Sequence, residues 1–144
     1  MELDEQKTLI TKMIQQHREL QKMIVGVVEL VEVESVEVDK VVGGLKEFSN
    51  KLTEHLKLEN EKFYPELLEG MKSKEQDTVK TEMFVAEMVG IEKAVGEFLT
   101  KYSDVGSVKS KLEELRVELP GIVDALTLRI ESEEAGVYSY WGLF

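Results

Sequence analysis

"EHLKLENEKFYP", Glu54–Pro65, is the stretch on which the reading of this chain turns. It holds one of only two histidines in 144 residues, and a glutamate follows four positions later. Residues at i and i+4 project from one face of a helix, so His55 and Glu59 stand together if this segment is helical. Its surroundings say that it is. Val38, Val41, Leu45, Phe48, Leu52, His55, Glu59 and Phe63 recur at the three-and-four spacing of one helical face. The pair falls on the core-facing stripe, where an ionised carboxylate is costly unless it is paired or bound to a metal.

Three further stripes flank this one. The first runs Ile10, Met13, Ile14, His17, Leu20, Ile24, Val27, Val28, Val31. The segment after it, "VEVESVEV" (31–38), alternates like a strand, but no partner strand is evident, and it reads as a frayed helix end and a loop. Gly43 and Gly44 weaken the second helix by up to about 1 kcal/mol each relative to alanine. Pro65 is expected to interrupt it, and Gly70 to end the turn that follows. The third helix is expected to begin at a capping box, Ser73 with Gln76, and to carry Phe84, Met88, Ile91, Val95, Phe98 and Tyr102. The fourth is expected to begin at another, Ser110 with Glu113. It carries Leu115, Leu119, Ile122, Leu126, Ile130, Glu133 and Val137, with a kink at Pro120 and Gly121. Four amphipathic helices joined by short loops predict an all-α, up-down-up-down four-helix bundle filling residues 1–144 as a single domain.

Composition narrows the function. The chain has no cysteine, which removes disulfides, zinc–thiolate sites, iron–sulfur clusters and thiol catalysis, and suits a reducing cytoplasm. A net charge of −11 makes nucleic acid and anionic membranes poor partners. Neither a signal peptide nor a membrane span is expected from "MELDEQK" or from any later segment. No serine–histidine–acid set or phosphate loop emerges, so no enzyme is expected.

Most of each stripe is hydrocarbon, and the exceptions are His17, His55, Glu59 and Glu133. Counting residues from the connecting loops sets His55 level with Met88. His17 differs from His55, and Arg129 from Met88, by about four residues or roughly 6 Å of rise. Side chains can cover that gap, so the four polar groups can share one layer. Imidazole with carboxylate suits iron, manganese or zinc. A ferritin-like carboxylate site needs Glu-x-x-His, but Ile14 and Leu52 stand three residues before the two histidines. A haem bundle using Met88 and a histidine is a weaker reading, because methionine at helical spacing is more often core.

These residues resemble the hemerythrin-like (HHE cation-binding) family. "EHLKLENEKFYP" is similar to its second helix, with His-x-x-x-Glu followed by an aromatic and "YP". "RIESEEAGVY" (129–138) is similar to its fourth, "QQHRELQKMI" to its first and "AEMVGIEKAVGEFL" to its third. The resemblance implies a site held by His17, His55, Glu59 and Glu133. In the family two irons are held by histidines of all four helices and two bridging carboxylates. Here Met88 stands for the third-helix histidine and Arg129 for the fourth-helix one. What remains resembles the ligands of one iron plus both bridges. Arginine is no metal ligand, but its guanidinium can pair with Glu133 or Glu59 where a lost metal would have supplied charge.

Two functional readings follow. One is a hemerythrin-like metal-binding protein with an at most mononuclear iron-type site, serving oxygen, redox or metal sensing or storage. The other is a metal-free bundle acting as an interaction or regulatory module, in which Arg129 neutralises the buried glutamates or else snorkels to solvent. The aromatic tail "VYSYWGLF" (137–144) either docks back on the bundle end or forms a homodimer contact.

Overall fold

In the computed structural model, which describes residues 2–140, every regular element is helical. Helix α1 spans Glu2–Val31 and α2 spans Val38–Leu58. A π turn, Glu59–Phe63, leads directly into α3, Tyr64–Ser73. Then come α4 (Val79–Lys101), the short α5 (Val105–Ser110), α6 (Leu112–Ala135) and a 3₁₀ turn at Val137–Tyr140. The four long units form a ring in which α1 packs on α2 and α6, and α4 packs on the same two helices. Among the described residues no helix is long and apolar enough to cross a membrane.

Residues 32–37 are loop, so the valine alternation there builds no strand. Pro65 does not interrupt the second unit; the chain stays helical through it. Proline lacks an N–H, and its ring would meet the carbonyl four residues back in a regular α-helix. The helix widens instead, and the Tyr64 N–H reaches the Glu59 carbonyl five residues back. That widening begins at Glu59, one of the core carboxylates.

Both expected capping boxes are corrected. Ser73 ends α3, its hydroxyl bonded to the Gly70 carbonyl at 2.8 Å, and Gly70 lies inside the helix rather than at its end. Glu75 takes the left-handed conformation, with φ of 57°, that closes the helix. The Gln76 N–H then bonds the Met71 carbonyl (2.9 Å) and the Glu75 N–H the Lys72 carbonyl (3.0 Å), the two bonds of a Schellman end. Asp77 instead receives the Val79 N–H at 2.9 Å as α4 begins. Ser110 ends α5, an extra helix within the expected loop, whose cap is Asp104 accepting from the Ser107 N–H at 2.7 Å. Helix α6 runs on through Pro120.

Two apolar layers fill the ring. One gathers Leu20, Ile24, Leu45, Phe48, Phe98, Tyr102 and Leu115; the other gathers Leu9, Met13, Phe63, Tyr64, Leu67 and Tyr138. Each such side chain withdrawn from water contributes about 1.5–3 kcal/mol. Gly44 has a packing role, since a β-carbon there would stand 3.0 Å from a Val27 methyl across the α1–α2 contact. The register of the helices leaves a polar stratum between the two layers. On α1, His17 lies between Met13 and Leu20; on α2 and the π turn that continues it, His55 and Glu59 lie between Leu52 and Phe63.

Candidate metal centre

His17, His55, Glu59 and Glu133 meet in that stratum, all four buried, and each offers a nitrogen or oxygen within 4.8 Å of the others. They come from α1, α2, the π turn and α6. His55 Nε2 and Glu59 Oε1 are 3.1 Å apart, and His17 Nε2 is 4.0 Å from the same oxygen. A cation with bonds of about 2.1 Å holds its ligands about 3.0–4.2 Å apart, so contraction by a fraction of an ångström would complete the shell.

The imidazoles are oriented from outside. His55 Nδ1 lies 2.7 Å from Gln16 Oε1, which can only accept, so Nδ1 carries the proton and Nε2 is bare. His17 Nδ1 lies 2.8 Å from Glu134 Oε2. Arg18 grips Glu134 as well, and although burial opposes it, the hydrogen bonds from Arg18 and His17 hold that carboxyl below its usual range. An ionised Glu134 requires the His17 proton on Nδ1, again leaving Nε2 bare. Burial lowers the pKa of both histidines, aided at His17 by its neighbour His55. Two neutral imidazoles therefore turn their lone pairs toward two buried carboxyls. Histidines that ligate metals are commonly held by outer hydrogen bonds of this kind.

The carboxyls are less settled. Burial raises Glu59, and burial together with the neighbouring Glu59 carboxyl raises Glu133 well above the usual carboxylate range. His55 Nε2 and Glu59 Oε2 are buried and have no hydrogen-bond partner. A buried polar atom left unpaired costs about 1–3 kcal/mol. Two such atoms in one cluster, both good ligand atoms for a hard or borderline cation, fit a bound metal ion.

Arg129 does not snorkel to solvent; it is 5% exposed. Its Nε stands 3.6 Å from Glu133 Oε1, its Nη2 donates to the Phe84 carbonyl at 3.0 Å, and its guanidinium lies 3.8 Å over the Phe84 ring. Met88 is buried and, with His55, Glu59, Arg129 and Glu133, borders a cavity of about 30 Å³. Such a space admits one or two waters.

Five residues of the site went unread in the sequence. Gln16, Arg18 and Glu134 belong to the outer hydrogen bonds, and their neighbours His17 and Glu133 were the available signal. Tyr64 and Tyr138 bring phenols inward. The Tyr64 hydroxyl donates to Glu133 Oε2 at 3.3 Å, and the Tyr138 hydroxyl to Glu59 Oε1 at 3.0 Å. Tyr138 belongs to the aromatic tail, whose start does dock back on the bundle; Trp141 and Phe144 lie outside the described residues. The turn that returns it depends on Gly136, where a β-carbon would stand 2.8 Å from the Ser132 carbonyl oxygen.

No curated protein and no solved structure matches the chain significantly. Residues 8–141 match the hemerythrin HHE cation binding domain, a span that holds the four helical units apart from the start of α1, and the whole polar stratum. The chain belongs to the hemerythrin HHE cation binding domain family.

Proposed function

We propose that this protein binds one transition-metal ion, of the iron type, through His17, His55, Glu59 and Glu133. The observation that carries the reading is the pair of bare Nε2 atoms aimed at two buried carboxyls, one of which keeps an oxygen without a partner. The donor set of two nitrogens and two carboxylates suits iron, manganese or zinc. Iron, when bound, supplies one-electron redox chemistry and affinity for small ligands. The chain's own contribution is to exclude water with an apolar layer on either side. It also fixes both imidazole tautomers through Gln16 and Glu134, and places Arg129 where the family carries a further histidine. That cation, beside Glu133, makes the place unfavourable for a second metal ion. A buried site with a cavity of water size suits redox or small-ligand sensing, or metal storage, better than turnover of a bulky substrate.

A second reading is favoured by Arg129 itself. Its charge beside Glu133, with a proton retained by the carboxyl pair, allows the bundle to stand without metal and act as an interaction or regulatory module. Metal content per chain separates the two readings, measured on protein purified without chelator or metal-affinity resin and then loaded anaerobically with ferrous ion. One ion per chain, lost in the His55→Ala variant, supports the first. A parent protein that takes up none supports the second.

A further inference from the structure

We infer that Tyr138 is a fifth protein ligand of the metal and binds ferric ion through its phenolate oxygen. The inference rests on the one-metal reading above and adds a hard anionic donor to it. Tyr138 is 5% exposed, and its hydroxyl lies 3.0 Å from Glu59 Oε1 and 3.2 Å from His17 Nε2. Both contacts are hydrogen bonds, and both partners belong to the proposed metal site. The phenol has a single proton for these two partners, while the His17 proton sits on Nδ1 against Glu134. The bare His17 Nε2 accepts from the phenol, so one hydroxyl bridges two atoms of the proposed metal site. His55 Nε2 lies 3.1 Å from Glu59 Oε1 and is not hydrogen-bonded.

Two ligands at adjacent corners of an octahedron with bonds of about 2.1 Å are separated by about 3.0 Å. The three contacts, at 3.0, 3.1 and 3.2 Å, have the length of such edges. They link Tyr138 to His17 and Glu59, and Glu59 to His55, and a cation held by these atoms would also take up the unpaired His55 Nε2. The phenol is also held in place. Its ring stacks on His17 with centroids 5.5 Å apart and meets Phe63 edge-on at 5.0 Å. On binding, the phenolic O–H bond breaks, an oxygen–iron bond forms and one proton passes to solvent. No electron moves when the ion is supplied as ferric.

The test loads the whole chain with ferric nitrilotriacetate and records iron content, visible absorption, resonance Raman spectra and protons released. The parent should bind one ferric ion, develop a phenolate-to-iron charge-transfer band and show enhanced phenolate ring modes. Tyr138→Phe should keep most of its iron, lose the band and those modes, and release one proton fewer. Tyr64→Phe, Tyr102→Phe and Tyr140→Phe, which exhaust the other tyrosines, should each keep the band. If Tyr138→Phe takes up no iron, phenolate modes in the parent that survive all three other substitutions still assign Tyr138. A parent holding one ferric ion without phenolate modes overturns the inference and leaves the metal site standing. So does a band that survives Tyr138→Phe or disappears in Tyr64→Phe. A parent that binds no ferric ion overturns the metal site, and this ligand with it.

Discussion

Arg129 stands one helical turn before Glu133 on α6, and its Nε lies 3.6 Å from the Glu133 carboxylate inside the bundle. A guanidinium without the exposure of a surface cation thus faces a buried carboxyl that also receives the Tyr64 hydroxyl. Four expectations follow from this pair and the atoms around it.

Arg129→Ala should destabilise the metal-free protein by about 3 kcal/mol once pH has risen far enough to ionise Glu133, since it strands a buried carboxylate and frees the Phe84 carbonyl. Chemical denaturation measures it, and a loss under about 1 kcal/mol would mean that the pair is energetically idle. The penalty should be smaller at every pH where the folded Glu133 keeps its proton.

Metal stoichiometry should not exceed one ion per chain, because two imidazoles serve the site and Arg129 stands at its far side. Arg129→His combined with Met88→His should raise it toward two by supplying nitrogen donors at both family positions. Elemental analysis after anaerobic iron loading decides this. Two irons in the parent, with the absorption of an oxo-bridged pair, would show that other side chains replace the missing histidines.

The pH response should carry two opposite signatures. Glu133 holds its proton more tightly folded than unfolded, so its contribution to metal-free stability is complete below the ordinary value of 4.5 and is lost as pH rises through the raised folded value. His17 and His55 work in reverse, contributing above 6.5 and losing that contribution as pH falls through their lowered values. Metal-free Glu133→Gln should therefore lose less stability than the parent as pH rises above 4.5, by about 1.4 kcal/mol for each unit in which only the folded carboxyl is protonated. Bound metal should be released below roughly pH 6, as protons compete for the carboxyls and imidazoles. Metal retained at about pH 4 would call for other ligands.

Gln16→Ala and Glu134→Ala should each weaken metal binding about 10- to 100-fold while leaving the helical content intact, because each frees an imidazole to rotate or to change tautomer. Competition with a chromophoric chelator reads the affinity. Glu134→Gln, which can still accept from His17 Nδ1, should recover part of the loss. Equal affinity in all three variants would remove the outer hydrogen bonds from the account.

The sequence by itself determined the helical stripes, the four polar residues interrupting them and the likeness of "EHLKLENEKFYP" to the family. Each of these is a periodic signal, and a helix converts spacing along the chain into position on a face. Helix ends were legible only in part. Ser73 and Ser110 have the chemistry of caps, but the ends were decided by Glu75 turning left-handed and by Asp77 and Asp104 accepting backbone protons. The inward turn of Arg129 was open in the sequence, because Ile130 is an equally good inward neighbour; packing against Phe84 and Glu133 decided it. The outer hydrogen bonds of His17 and His55, and the phenols of Tyr64 and Tyr138, were decided only by the tertiary structure. They join residues on different helices, 39 positions apart for His55 and Gln16 and 121 for Tyr138 and His17. No period along one helix encodes such a meeting, since it depends on how far each helix slides and turns against the next.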